Sequence, residues 1–102
     1  MDFLDLLDLA RHRAKLDTDA ALTRRLGRSH NFISGLRKGY GLPSDEVTAA
    51  LCELAGVDPL PWLLALNIER TRGPAQTTYS GLAQHLGVSL PKYRRAMVNA
   101  AE

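Results

Sequence analysis

The sequence predicts an all-α fold, on three observations. Apolar residues recur at the three- and four-residue spacing of a helix face in successive segments. Ser, Thr or Asp precedes these segments, and Gly or Pro follows several of them, as expected at the two ends of a helix. Alternation of apolar and polar residues, which indicates a half-buried strand, is found nowhere along the sequence. The length of 102 residues corresponds to one domain.

Five helices are expected before residue 73, each beginning at a residue whose side chain can cap it. The expected ranges, with the capping residue in parentheses, are 2–15 (Asp2), 19–26 (Thr18), 30–38 (Ser29), a fourth helix that ends at Gly56 (Ser44 or Asp45), and a fifth that runs to about Arg72 (Asp58). The fifth helix is apolar on nearly every side, so it is expected to be buried inside the domain or against another chain. Trp62, Leu63 and Leu66 are the expected contacts of a homodimer.

A break at Arg72-Gly73-Pro74 predicts a short linker over residues 73–78. It divides the chain into a domain over residues 1–72 and a C-terminal helical extension over residues 73–102, which is expected to serve in dimerisation or as a second unit of helix-turn-helix type.

The charges are distributed in blocks, although the net charge is only +2. Residues 18–42 hold five basic residues against Asp19 alone, residues 43–69 hold five acidic residues and no basic one, and residues 70–102 hold five basic residues against Glu102. A basic block attracts phosphate only if it folds onto one face. On these counts alone, a solvated surface of mixed charge is the simpler interpretation.

The segment around Gly27 is predicted to form a helix-turn-helix. Two short helices flank a glycine that can adopt the left-handed conformation, and Ser29 offers a cap two residues later. The side chains expected to hold the helices together are Leu22, Leu26, Ile33 and Leu36. In DNA-binding versions of the motif, the second helix enters the major groove with its N-terminal end first. Its outward face is polar here, and no acidic residue lies between Arg24 and Lys38.

Residues 18–43 resemble the Cro/XRE-type helix-turn-helix family of phage repressors and antitoxins. The residues that match in type and spacing are Leu26, Gly27, Ser29, Ile33, Leu36, Arg37, Lys38, Gly39 and Pro43. Residues 45–59 also resemble the family's fourth helix, so the resemblance covers roughly residues 2–68. It implies a five-helix lambda-repressor-like DNA-binding domain, to which the extension adds a C-terminal helical hairpin.

Three residues depart from the family's pattern. Thr23 stands where the family has Ala, but it is small enough to keep the contact between the helices. Arg28 replaces a buried aliphatic residue, so either the turn is looser or the guanidinium reaches out to phosphate, and we favour the second interpretation. Gly35 lies where a contact side chain is common, so this helix is expected to read fewer bases.

The resemblance implies a sequence-specific transcriptional regulator that binds double-stranded DNA, namely a repressor of phage or prophage type that acts as a homodimer on a palindromic operator. The base-reading candidates that it gives are His30, Asn31 and Ser34. The residues expected to hold the DNA backbone are Thr18, Arg28, Ser29, Arg37 and Lys38. The rival interpretation is an antitoxin or phage factor that uses this scaffold to bind and inhibit another protein, because a fold does not determine a function.

Residues 78–97 repeat the pattern sixty positions later, since Thr78, Leu82, Leu86, Gly87 and Ser89 coincide with the corresponding residues of the first motif. A second DNA-reading motif, a plain helical hairpin, and a hairpin that contacts flanking phosphates all remain open, and the plain hairpin is the simplest. The possible secondary phosphate contacts are Lys92, Arg94 and Arg95.

Other chemistry is not indicated. The histidines and Cys52 lack the spacing of metal ligands, and the adjacent Ser29 and His30 cannot act as a nucleophile and its base. We therefore expect no metal, no cofactor and no enzymatic activity. Cys52 is expected to be buried rather than redox-active. No apolar run approaches the roughly 18 residues of a membrane span, so a cytoplasmic location without membrane contact is expected.

Overall fold

The computed structural model describes residues 1–93, in which six α-helices and no β-strand are found. The helices are α1 (Phe3–Arg13), α2 (Asp19–Arg25), α3 (Phe32–Arg37), α4 (Asp45–Ala55), α5 (Pro59–Arg70) and α6 (Pro74–Leu86). The predicted all-α class is confirmed for this part of the chain. None of these helices is both long and apolar enough to traverse a bilayer.

Capping side chains determine where four of the helices begin. Asp2 and Asp5 form a reciprocal capping box at α1, in which each carboxylate accepts a hydrogen bond from the other residue's backbone N–H. The Thr18 hydroxyl caps α2, and that of Ser44, rather than Asp45, caps α4. Asp58 caps α5 by accepting from Leu60 N–H. The caps expected from the sequence at these helices are therefore confirmed.

The core is built mainly from α1, α4 and α5, with α1 packed on α4 and α4 packed on α5. α2 packs on α3, and α6 packs on α5. The core side chains are Phe3, Leu6, Leu7, Ala10, Leu22, Ile33, Leu36, Val47, Leu51, Cys52, Ala55, Trp62, Ala65, Leu66 and Tyr93. Because Leu22, Ile33 and Leu36 belong to this cluster, α2 and α3 are anchored to the same core as the other helices.

α5 is buried inside the chain itself. Trp62 is 4% exposed and Leu66 is fully buried, whereas Leu63 is half-buried and Leu60 is exposed. Trp62 and Leu66, two of the expected contacts of a homodimer, thus pack in the core of their own chain.

α6 begins at Pro74, so the expected linker over residues 73–78 is wrong. Proline is well suited to the first position of a helix, since its missing N–H has no partner there in any case. Thr78 lies within α6 and donates its hydroxyl to the carbonyl of Pro74 instead of capping a helix. The second motif therefore does not repeat the first at its start.

The residues after α6 run back to the start of α1. No residue between 88 and 93 is helical, and Phe3 N–H donates to the carbonyl of Lys92 at 2.8 Å. Tyr93 stacks on Phe3 with 5.0 Å between ring centroids and meets Trp62 edge-on at 5.8 Å. Its hydroxyl donates to the carbonyl of Trp62 at 3.1 Å. The second arm of the expected hairpin is thus absent up to Tyr93, and residues 94–102 lie outside the described part.

Candidate nucleic-acid interface

The turn between α2 and α3 has the geometry that the sequence predicts at Gly27. Gly27 adopts the left-handed conformation with φ of 70°, which costs a glycine little because it has no Cβ. The next residue, Arg28, donates its backbone N–H to the carbonyl of Thr23 at 3.1 Å. This bond closes the C-terminal end of α2 and directs the chain toward α3.

Thr23 joins α2 to the beginning of α3. Its Oγ1 atom accepts a hydrogen bond from the backbone N–H of Ile33 at 3.4 Å, and both residues are buried. Ile33 is the second residue of α3, where a backbone N–H has no partner within its own helix. The hydroxyl of Thr23 therefore acts as the cap of α3, supplied from the preceding helix. The small residue that the resemblance leads one to expect here would pack equally well but would leave this N–H without an acceptor.

The beginning of α3 differs from the prediction, which placed the helix over residues 30–38 with Ser29 as its cap. The helix starts at Phe32, and its N-cap is Asn31, whose side chain makes no capping hydrogen bond. Asn31 has φ of 69°, in the left-handed region that asparagine tolerates better than most residues. His30 and Asn31 consequently lie on the turn before α3 and not on its first turn.

Most of the predicted DNA-binding side chains lie at the surface of the unit formed by α2, the turn at Gly27 and α3. Those that are exposed are Thr18, Arg28, Ser29, His30, Asn31 and Lys38, whereas Ser34 is half-buried. The Thr18 hydroxyl accepts from Ala21 N–H at 3.1 Å and still has its own proton to donate. Ser29 contributes its carbonyl to the turn, where it accepts from Phe32 N–H at 3.2 Å.

Arg37 has a different environment from the other predicted backbone contacts. Its Nε and Nη2 atoms donate to the two carboxylate oxygens of Asp19 at 2.7 and 3.0 Å, and Nη2 also donates to Asp8 at 2.7 Å. The hydrogen bond to Asp19 is the main cause of the raised pKa of Arg37, and burial opposes it. Arg37 thus ties α3 to α1 and α2, and because its charge is paired with two carboxylates it is less available to phosphate than the other predicted contacts.

Three exposed side chains near the turn were not among the predicted contacts, namely Arg24, Arg25 and Tyr40. Arg24, in the last turn of α2, lines a depression together with Arg28, His30 and Asn31. Tyr40 is 78% exposed, and its ring lies 3.9 Å from the position that a Cβ on Gly35 would occupy. The sequence offered a signal only for the two arginines, which belong to the same basic block as Arg28.

Of the three expected secondary phosphate contacts, only Lys92 lies within the described residues. Lys92 is exposed and pairs through its backbone with the start of α1, in an isolated bridge to Asp2. Arg94 and Arg95 lie outside the described residues.

Cys52 is fully buried, and this burial is the main reason why the pKa of its thiol is raised to about 11. A thiol in such an environment is protonated at neutral pH and is therefore a poor nucleophile. Within residues 1–93, no three His, Cys, Asp or Glu side chains come together as a metal site would require.

Comparison of the chain with models of known protein families, with curated proteins and with solved structures finds no match.

Proposed function

We propose that the chain binds double-stranded DNA through α2, the turn at Gly27 and α3, and that it regulates transcription as a homodimeric repressor on a palindromic site. The observation that carries the proposal is the charge of this surface. Asp19 is the only acidic residue between positions 18 and 44, and it is paired with Arg37. The remaining exposed side chains of the unit are therefore basic or neutral, which suits a polyanion.

The position of each exposed side chain suggests which part of the DNA it contacts. Asn31 and Ser34 are proposed to read base edges, with Asn31 able to form the bidentate pair that asparagine makes with adenine. His30 reaches either a base or a phosphate. Lys38, Thr18 and Ser29 are proposed to contact the backbone and to set the register of the protein on the duplex. Tyr40 beside Gly35 supplies contact area where the helix itself lacks a side chain.

Helices α1–α5 are proposed to form a five-helix lambda-repressor-like domain. The packing of α1 on α4, of α4 on α5 and of α2 on α3 is consistent with such an arrangement. A single unit of this kind makes few contacts, so a dimer on two half-sites one helical turn apart is expected. Leu82 and Leu86, one turn apart on α6 and 44% and 50% exposed, are the proposed contacts between subunits.

The same two leucines favour a second candidate, in which the chain binds another protein and inhibits it. Exposed apolar side chains on one helix face suit either kind of partner. The first candidate requires that the purified chain forms a dimer with itself, and the second does not. Sedimentation of the purified protein at micromolar concentration gives a dimer under the first proposal, and replacement of Leu82 and Leu86 by Glu gives a monomer with weakened operator binding.

The decisive experiment is selection of binding sites from a random library of duplex DNA by the purified chain at two salt concentrations. We expect a palindrome whose half-sites lie about 10 base pairs apart. Retention of random sequence with a steep salt dependence would reduce the proposal to non-specific binding. Absence of any retained duplex at the lower salt concentration would refute it.

A further inference from the structure

A depression of about 180 Å³ lies between α2 and the turn that precedes α3. Its lining residues are Ala20, Thr23, Arg24, Arg28, His30 and Asn31. Two of these side chains are permanently cationic, and none is acidic. Cationic donors that surround one concave surface without a carboxylate among them match the requirements of an anion.

The arginines of this surface differ from the others in the described part of the chain. Residues 1–93 contain eight arginines, and five of them donate side-chain hydrogen bonds to carbonyl or carboxylate oxygens, namely Arg11, Arg13, Arg37, Arg70 and Arg72. The three that donate to no residue of this part are Arg24, Arg25 and Arg28. Two of these three line the depression, so their N–H groups are available to a ligand.

Arg28 is also held in place without the use of those N–H groups. Its guanidinium carbon lies 5.4 Å from the centroid of the Phe32 ring, in a cation–π contact. A guanidinium that is already oriented loses less conformational entropy when it binds a ligand. Arg28 also lines a second depression together with Glu46, but no ion pair joins these two residues.

We propose that this depression binds one phosphodiester group of the DNA backbone, with Arg24 and Arg28 as its principal ligands and His30 as a third donor. The inference rests on the proposed function and deepens it, because it assigns His30 to the backbone rather than to a base. The gathering of like charges is unfavourable in the free protein, and a bound phosphate relieves that repulsion. Guanidinium groups suit this ligand since they can donate two parallel hydrogen bonds to it.

Arg25 provides a matched control. It is exposed on the same helix and is adjacent to Arg24 in sequence, but it does not line the depression. Replacement of Arg24 or Arg28 by Ala is expected to weaken binding to the selected DNA about tenfold to hundredfold and to lower the salt slope by about 1. Arg25→Ala is expected to weaken binding only about twofold, through the loss of screened long-range attraction. Thermal unfolding should be unchanged in Arg24→Ala and Arg25→Ala, whereas Arg28→Ala loses the cation–π contact with Phe32 and should unfold at a slightly lower temperature.

The identity of the ligand is tested with duplexes that carry a single neutral methylphosphonate at each backbone position in turn. One position per half-site is expected to weaken binding about tenfold or more for the wild-type protein and for Arg25→Ala, and to have no effect on the Arg24→Ala/Arg28→Ala double variant. Equal sensitivity of all three proteins at every position would overturn the inference while leaving DNA binding intact.

A titration with inorganic phosphate distinguishes a site for the DNA backbone from a site for the free anion. Binding is followed by the arginine Nε–H signals in NMR spectra. Saturation at micromolar phosphate would identify a site for the free anion and would overturn the assignment to DNA. Weak binding at millimolar phosphate or above, together with the methylphosphonate result, supports it. Failure of the wild-type protein to bind any duplex is a separate outcome, which overturns the proposed function and this inference together.

Discussion

The hydroxyl of Thr23 in α2 accepts the backbone N–H of Ile33 at 3.4 Å and thereby caps a helix to which it does not belong. Because the bond is long, we expect its loss to cost an amount at the lower end of the range for a buried donor left without an acceptor. We expect Thr23→Val, which keeps the shape but removes the acceptor, to lower the free energy of unfolding by about 1 kcal/mol. Thr23→Ser, which keeps the hydroxyl, should recover part of that loss. Urea denaturation measures both, and equal stability of Thr23→Val and the wild type would show that the bond contributes nothing.

Arg37 should act as a structural ion-pair partner and not as a phosphate ligand. Arg37→Gln is expected to lower the free energy of unfolding by about 1–2 kcal/mol, because two half-exposed carboxylates lose their partner. A double-mutant cycle with Asp19→Asn should give a coupling energy of about 1 kcal/mol by urea denaturation. The salt slope of DNA binding should stay the same in Arg37→Gln, and a decrease of about 1 in that slope would restore the phosphate assignment.

Asn31 should read a base from a turn that constrains its backbone. Its φ of 69° means that Asn31→Ala would combine loss of the side chain with backbone strain of about 1 kcal/mol, so Asn31→Gly is the better test. We expect Asn31→Gly to keep the stability of the wild type and to relax specificity at one base pair by about 1–3 kcal/mol.

Lys38 is the comparison for Asn31, because Lys38→Ala should weaken binding to all sequences alike and lower the salt slope by about 1. Competition binding against a panel of operator variants distinguishes the two patterns. A uniform loss for Asn31→Gly would exclude a role in base reading.

The contacts of Tyr93 should be visible in the fluorescence of Trp62, which is the only tryptophan of the chain. Tyr93→Ala is expected to lower the free energy of unfolding by about 3 kcal/mol and to shift the emission maximum to longer wavelength, since the indole loses a covering ring. Tyr93→Phe keeps the ring and should lose about 1 kcal/mol with its hydrogen bond. The exposed neighbour Lys92 serves as control, and a red shift in Lys92→Ala as large as that of Tyr93→Ala would contradict the assignment.

Cys52 should make stability depend on pH in the alkaline range. Its thiol pKa is about 11 in the folded chain against an ordinary value of 9.0, so the folded state holds the proton more tightly. This contribution is complete below about pH 9 and is lost as the pH rises to about 11. Relative to Cys52→Ala, the wild type should therefore lose about 2 kcal/mol of unfolding free energy over this interval. The difference between the two proteins cancels other groups that titrate there, and an unchanged difference would contradict the prediction.

Local features of the fold were predictable from the sequence, because they depend on neighbours a few residues apart. The caps at Thr18 and Ser44 and the left-handed glycines at Gly27 and Gly56 belong to this class. The start of α6 was missed although its signal was present, since Gly73-Pro74 marks the beginning of a helix as well as the end of one. The later start of α3 was not predictable from capping preferences, because its cap is the hydroxyl of Thr23 on the preceding helix and not a side chain next to the start of α3.

Relationships across the fold were not predictable. Periodicity indicates which face of a helix is buried but not which residue it meets, so the pairing of Arg37 with Asp8, 29 positions away, left no trace in the pattern. For the same reason, Arg37 and Lys38 were assigned the same role, although only Lys38 is exposed. The depression at Arg24 and Arg28 also depends on how the turn folds back onto α2.

The bridge between Asp2 and Lys92 closes a loop of about ninety residues. A contact between such distant positions costs much conformational entropy, because a long loop must close before the contact can form. The residues that make contact within α2 and α3, or between α4 and α5, are much closer in sequence. The helices should accordingly assemble first and the segment that carries Tyr93 should dock last. Amide hydrogen exchange would then be faster at Phe3, whose N–H depends on that docking, than at the buried amides of α4. The helix-turn-helix at Gly27 would then be formed before the segment that carries Tyr93 docks against the start of α1.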